Sequence, residues 1–297
     1  MGPRPPSVGY LGPEGTFSEE ALLASAVPDA VEPLARASIY ETIAALRQGE
    51  VAFSIVPIEN SLEGSINVTL DLLAGEAGDV EIVGEALLRV RHSLLAAEPL
   101  ELAAIETVIT HPHVPGQCAR LLQGELAHAR IVPASSTAEA VRSVVESRQR
   151  GAAALGTLLA GTIYGASVIR EGVQDRDDNE TRFVWLARRG EDAGAPLRAG
   201  AAGGWKTSLV FWGPGADSPG WLVRCLDEFA RRRINLTKIE SRPRREWLGS
   251  YMFFADLAGR ADEANLAQAI AGLGALCEQV RVLGSYPAAA GPAPLET

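Results

Sequence analysis

The amino-acid sequence predicts an α/β domain followed by a smaller α+β domain, and three observations carry that prediction. About the first 190 residues alternate short apolar runs with stretches of helical period, the pattern of strands and helices packed in layers. A Gly/Ala-rich stretch without periodicity, RRGEDAGAPLRAGAAGG at 188–204, then interrupts the chain as a flexible linker would. Beyond it the elements run βαββαβ, a split βαβ order.

Taken in order, strands are expected at SVGYL (7–11), VAFSIVPI (51–58), IETVITH (105–111), AAALG (152–156) and TRFVWLA (181–187). Each is short, apolar and bounded by turn residues. Between them SIYETIAALRQG (38–49), GQCARLLQGEL (116–126) and TAEAVRSVVESRQR (137–150) read as helices. Strand–helix alternation implies largely parallel sheets. Thr16 with Glu19, and Ser136 with Glu139, are spaced as capping boxes that start two of the helices. In the second segment KTSLVFWG (206–213) is a strand and GWLVRCLDEFARRR (220–233) an amphipathic helix. INLTKIESRP (234–243) and WLGSYMFFADLAG (247–259) pair as strands, DEANLAQAIAGLGALC (262–277) is a helix, and EQVRVLGSYP (278–287) ends the domain. Two helices on one face of a four-stranded antiparallel sheet leave the other face and an edge free, open to side-by-side pairing. The Pro-rich start and the Pro/Ala-rich tail from Pro287 are expected to be disordered.

The composition excludes several classes of function. With 27 Lys+Arg against 37 Asp+Glu the net charge is −10, which argues against a nucleic-acid or anionic-membrane partner, since both need a positive field. The cations Arg231, Arg232 and Arg233 end a helix, where they complement its dipole. No apolar run approaches the ~18 residues of a membrane span, and the N-terminus has no apolar core of a signal peptide. Three scattered cysteines without a CxxC pair fit reduced thiols. These features imply an acidic cytoplasmic protein of two parts.

Four strings place reactive side chains just past strands. In GPEGTFSEEALL (12–23) a Gly/Pro loop runs into a helix start, which is either an anion site or a plain turn; it lacks the Lys of a P-loop and the third Gly of a dinucleotide loop. VPIENSLEG (56–64) sets Glu59, Asn60 and Ser61 at the end of a buried strand, where open α/β sheets place ligand contacts. In HPHVPGQC (111–118) His111 and His113 alternate, but a structural metal needs about four ligands and no partner pair exists elsewhere, so Gln117 is the better ligand contact. In DRDDNETRFVWL (175–186) Thr181 offers a hydroxyl and Arg182 a guanidinium able to fork to a carboxylate; the alternative is a solvated strand entry.

Read together, GYLGPEGTFSEEAL, VPIENSLEG, HSLL (92–95), HPHVPGQC, SSTAEA (135–140) and IREGVQDRDDNETRF (169–183) resemble the prephenate dehydratase family. About the last 80 residues, with NLTKIESRP at 235–243, resemble an ACT domain, a small amino-acid-sensing module. The resemblance implies a two-lobed catalytic domain like a periplasmic binding protein over 7–189, with lobe one at 7–88 and 172–189 and lobe two at 89–171. A linker at 190–204, an ACT domain at 205–287 and a flexible tail at 288–297 complete the chain.

The implied activity is prephenate dehydratase, a carbon–oxygen lyase making phenylpyruvate with loss of water and CO2 in phenylalanine biosynthesis, with no metal or organic cofactor. Thr181 matches the family's catalytic threonine, with Glu59, Asn60, Ser61 and Gln117 beside it. Arg182, Phe183, Gly15, Thr16, Phe17 and Ser93 are implied to bind the substrate. Phenylalanine is the implied allosteric effector, held by the turn Pro219, Gly220, Trp221, Leu222 and by Asn235, Glu240, Ser241, Arg242 and Pro243. Trp221 stands where the family has a small Ala, so its ring either fills the pocket or stacks on the effector. No chorismate mutase segment precedes Ser7, which implies a monofunctional enzyme, and ACT pairing implies a homodimer or homotetramer. The alternatives are an arogenate dehydratase, a prephenate decarboxylase, or a non-catalytic amino-acid-sensing binding protein. Retention of Thr-Arg-Phe argues for loss of water.

Overall fold

The computed structural model of the chain describes residues 4–191, 194, 196–198, 204–214, 218–246 and 249–289. In chain order the elements are β1 (Ser7–Leu11), α1 (Phe17–Ser25), β2 (Glu32–Arg36), α2 (Ile39–Arg47), β3 (Phe53–Asn60), β4 (Gly64–Ser65), α3 (Asn67–Ala74) and β5 (Val80–Arg89). Next come β6 (Ser93–Ala96), β7 (Thr107–Thr110), α4 (Ala119–Gln123), β8 (Arg130–Pro133), α5 (Thr137–Ser147), β9 (Ala152–Gly156), α6 (Leu158–Tyr164), β10 (Ser167–Arg170) and β11 (Glu180–Arg188). The C-terminal part holds β12 (Trp205–Trp212), α7 (Trp221–Ala230), β13 (Leu236–Pro243), β14 (Tyr251–Ala258), α8 (Ala264–Gly274) and β15 (Gln279–Pro287).

These strands form three sheets. The first runs β2-β1-β3-β11-β5 with β4 attached to β3, and the second runs β10-β6-β9-β7-β8. In the first, β1, β2 and β3 are parallel, but β11 is antiparallel to both β3 and β5. In the second, β7, β8 and β9 are parallel, β6 runs against β9, and β10 pairs antiparallel with β6 at the edge. The sheets are therefore mixed, not largely parallel. The physical reason is the double crossing: β5 carries the chain out to the second sheet and β11 brings it back, so the two lie antiparallel side by side.

The third sheet, β13-β14-β12-β15, is antiparallel throughout. One face carries α7 and α8 over a core of Leu209, Phe211, Phe229, Leu257 and Leu273. The other face, expected to be free, is covered. Val210, Phe254, Leu283 and Tyr286 belong to the same buried cluster as Ile82, Val184 and Leu186 of the first sheet. Apolar surface drives that contact, and ion pairs between Arg242 and Asp71 (2.9 Å) and between Lys238 and Glu59 (3.1 Å) ring it. The approach is close: a Cβ on Gly284 would lie 2.1 Å from the carbonyl oxygen of Ile82. Gly284→Ala is therefore expected to cost about 1–3 kcal/mol by overpacking, read as a lower midpoint in chemical denaturation. An unchanged midpoint would contradict this docking.

Two local expectations are corrected. Part of the linker is anchored: Arg198 N and Val27 N bond across to Ser25 O and Pro196 O, and Leu197 packs on the core of the first sheet. The one leucine of this Gly/Ala-rich stretch has an apolar seat against Gly84. Residues 192, 193, 195 and 199–203 of the linker, 290–297 of the tail and 1–3 of the N-terminal arm lie outside the described residues. Of the capping boxes, Ser136 accepts from Glu139 N at 3.0 Å. Thr16 does not cap; its hydroxyl donates to Leu11 O at 2.9 Å, and the Glu19 carboxylate accepts from Gly15 N instead. The loop before α1 is too tightly turned for the usual reciprocal pair.

Candidate active site

A cleft of about 720 Å³ lies where the ends of β1, β3 and β11 in the first sheet face the start of α5 and the loop after β7 in the second. Strand alternation decides which side chains enter it, because successive residues point to opposite faces. Across the β3–β11 ladder Thr181 faces Asn60 and Phe183 faces Pro57, and all four line the cleft. Arg182 and Glu59 are the intervening register pair and do not.

The polar groups on the cleft face form a connected network. Asn60 Oδ1 accepts from the backbone N–H groups of Leu62 (2.9 Å) and Glu63 (3.0 Å), which fixes the amide's orientation. Its Nδ2 is then turned to donate to Asn179 Oδ1 (2.8 Å) and Thr181 Oγ1 (2.9 Å). Since the Thr181 oxygen accepts there, its own proton is left to donate to a group in the cleft. Gln117 Oε1 accepts from Asn179 Nδ2 (3.1 Å), and Gln117 Nε2 donates to Glu63 Oε1 (2.8 Å). That leaves His92 Nε2, 2.9 Å from Gln117 Oε1, as a donor. Burial holds the His92 pKa below the usual imidazole value, with the Gln117 bond opposing in part, so the ring is neutral near pH 7.

Positive potential comes mainly from helix ends. α1 opens at Phe17 and α5 at Thr137, and Thr16, Phe17, Ser136 and Thr137 all line the cleft. First-turn N–H groups have no intrahelical partner and favour an anion. α4 does not contribute, because the Asp175 carboxylate already accepts from Ala119 N (2.9 Å) and Arg120 N (3.1 Å). Among the described residues Arg36 is the one Arg or Lys lining the cleft, and its Nη2 lies 3.1 Å from Glu50.

Of the residues expected from sequence, the structure brings Thr181, Asn60, Gln117, Phe183, Thr16 and Phe17 to the cleft. Five others are corrected. Arg182 is buried on the far side, 2.6 Å from Asp256 and 3.4 Å from Glu85, so it is committed to carboxylates of the protein. Glu59 pairs with Lys238 behind the cleft. Ser61 tightens the β3–β11 end, accepting from Glu180 N at 2.9 Å. Ser93 is buried in β6 opposite Gly156. Gly15 is a packing residue: at φ 84° its missing Cβ would lie 2.7 Å from Ala160 Cα, and its carbonyl accepts from Thr157 Oγ1. Only glycine lets this loop sit against α6.

Sequence reasoning missed His92, Glu63, Ser135, Glu139 and the cleft role of His111 and His113. His92 sits one residue before the chosen Ser93, on the opposite side of its strand entry. The two histidines of HPH stack at 5.1 Å, and His113 Nδ1 lies 2.9 Å from Glu63. Among the described residues no group of three or more His, Cys, Asp or Glu is placed to hold a metal ion, and no helix is long and apolar enough to cross a membrane.

A second cavity, about 490 Å³, opens in the C-terminal part and is lined by Pro219, Gly220, Trp221 and Leu222 with Arg244, Tyr251, Phe253 and Glu278. The Trp221 ring fills the core beneath it: the residue is 3% exposed, its Nε1 donates to Leu276 O, and it packs on Phe211 and Phe253. The other expected effector residues are not at this cavity within one chain. Asn235 is exposed, Glu240, Ser241 and Pro243 lie along β13, and Arg242 is held by Asp71 at 2.9 Å. The strand carrying them, β13, is at the sheet's edge.

Residues 8–191 match the family model described as prephenate dehydratase. A prephenate dehydratase from Mycolicibacterium vanbaalenii is 39% identical, over 95% of this chain and 91% of the relative. The crystal structure of a prephenate dehydratase from Arthrobacter aurescens in complex with L-Phe superimposes with a TM-score of 0.83 at 35% identity, covering 97% of this chain and 93% of that one. GqqA, described as a novel type of quorum-quenching acylase, is also similar, with a TM-score of 0.82, 28% identity, and coverage of 98% and 100%. The match extends over most of the chain and includes the strands that build the cleft: this chain belongs to the prephenate dehydratase family.

Proposed function

We propose that the chain is a prephenate dehydratase, a lyase that converts prephenate to phenylpyruvate, CO2 and water. The observation that carries this reading is the Asn60–Thr181 pair, which leaves one hydroxyl proton directed into an anion-attracting cleft. The electron pair of the bond to the ring carboxylate flows into the ring as CO2 departs. The C4–O bond breaks, and the leaving oxygen takes up one proton to become water. A threonine hydroxyl is too weak an acid to be the ultimate proton source near pH 7. Thr181 instead donates a hydrogen bond to the departing oxygen, and the proton arrives through solvent. The N-termini of α1 and α5 hold the carboxylates against the net charge of −10. Gln117, His92 and Phe17 orient the ring. A cleft-facing hydroxyl favours loss of water over decarboxylation that keeps the 4-hydroxyl. The test is incubation with prephenate, with the enol of phenylpyruvate measured in alkali; no product above the uncatalysed rate overturns the reading.

In this reading residues 7–189 are the catalytic domain, with lobe one at 7–88 and 172–189 and lobe two at 89–171. Residues 205–287 are an ACT domain, joined by the 190–204 segment. The enzyme acts in the cytoplasm as a homodimer or homotetramer. The 490 Å³ cavity takes phenylalanine, and β13 of a second copy brings Glu240 and Ser241 to complete the site. The L-Phe complex of the Arthrobacter relative supports that effector. Phenylalanine is expected to change turnover and oligomer size more than tyrosine or tryptophan at equal concentration. No response to any of the three would remove the sensing role.

A further inference from the structure

Two residues beside the cleft's hydroxyl pair are held by the C-terminal part of the chain. On β11, Arg182 follows Thr181, and its guanidinium reaches Asp256 of β14 at 2.6 Å. On β3, Glu59 precedes Asn60, and its carboxylate reaches Lys238 of β13 at 3.1 Å. Arg182 and Glu59 are themselves a register pair, 3.5 Å apart at their charged ends. The same two strands therefore present the Asn60–Thr181 hydrogen bond on one face and a chain of charges anchored in the other sheet on the opposite face.

The anchorage is rigid. Arg182 is 8% exposed and Asp256 5%. The second Asp256 oxygen accepts from Ser208 Oγ, which also meets Tyr286 Oη at 2.7 Å. Lys238 Nζ lies 3.0 Å from Ser65 Oγ as well, on the short strand that pairs with the end of β3. Charged groups so enclosed have few alternative partners, and a shift of Asp256 must move Arg182 with it.

We propose that Asp256 and Lys238 are positioning residues for the dehydration. Asp256 acts through Arg182 on the Thr181 hydroxyl, and Lys238 acts through Glu59 on the Asn60 amide. The inference rests on the reading that Thr181 and Asn60 act on prephenate. Neither positioning residue lines the cleft, so losing one misaligns the hydroxyl without removing a substrate contact. Misplacement of a reacting group by about 1 Å costs up to ~100-fold in rate.

The experiment compares Asp256→Asn, Lys238→Met and Asp71→Asn with the full-length unmodified protein, using prephenate and no added amino acid. Asp71 holds Arg242 and Arg245 across the same interface but touches neither Arg182 nor Glu59. Asp256→Asn and Lys238→Met are expected to lower kcat by about tenfold or more with KM changed by less than about threefold. Asp71→Asn should keep kcat within about twofold. Should Asp256→Asn not fold, Lys238→Met at the rim of the interface decides the matter alone. Unchanged kcat in the folded variants overturns the proposal, and so does an equal loss in Asp71→Asn, which would mean that domain docking alone matters. An unmodified protein that leaves prephenate intact would overturn the functional reading itself, a result distinct from either.

Discussion

Thr181→Val is expected to lower turnover of prephenate by about two to four orders of magnitude, the span of a lost hydrogen-bonding or proton-transfer group. The substitution keeps the side chain's shape and deletes only the hydroxyl. Asn60 Nδ2 loses one acceptor but retains Asn179 Oδ1 and Glu180 O, so the cost to stability is about 1 kcal/mol or less. The loss should fall on kcat more than on KM, because the hydroxyl acts on the departing oxygen as its charge develops. Thr181→Ser, which keeps the hydroxyl, should recover most of the rate. Near-normal turnover by the valine variant would remove Thr181 from the chemistry.

Arg182→Met should combine a fall in kcat with a large loss of stability. The guanidinium sits among Asp256 (2.6 Å), Glu85 (3.4 Å) and Glu59 (3.5 Å). Burial opposes its charge, but Asp256 and Glu85 more than compensate, and its pKa is held above the free value. Lys206 still neutralises Glu85 at 2.7 Å, but the Asp256 carboxylate would be left with the Ser208 hydroxyl. Removing one member of a buried ion group costs about 3–5 kcal/mol. At this chain length that is a fall in Tm of roughly 5–8 °C. A guanidinium that bound substrate from a solvated cleft would give the reverse pattern, a raised KM at unchanged Tm.

That contrast marks how much of the molecule was legible in the sequence. Strand and helix order was, because apolar period and turn residues are local signals. The ends of β1 and β3 and the start of β11 stood out because each joins buried apolar residues to Gly, Asn or Thr within a few positions. The orientation of individual side chains was partly encoded and not used: in Thr181-Arg182-Phe183 the period of two already separates Arg182 from its neighbours. The same period separates Glu59 from Asn60. What lay behind the sheet was not encoded locally, since Asp256 is 74 residues away from Arg182 and comes from a separate sheet. Gly15 resembled a ligand loop because the residue it accommodates, Ala160, comes from the other lobe. The covered face of the C-terminal sheet was hidden for a related reason. Alternating exposure along β13 looks the same whether water or a second domain lies beneath.

The most direct measurement is a crystal structure of Thr181→Val soaked with prephenate, or of the unmodified protein with phenylpyruvate. The ligand ring is expected between Phe17, Gln117 and residue 181. Its carboxylate should lie within hydrogen-bonding distance of the first-turn N–H groups of α1 or α5, with Arg182 still on Asp256. A ligand carboxylate paired with Arg182, or a ligand bound away from Thr181 and Asn60, would contradict this placement.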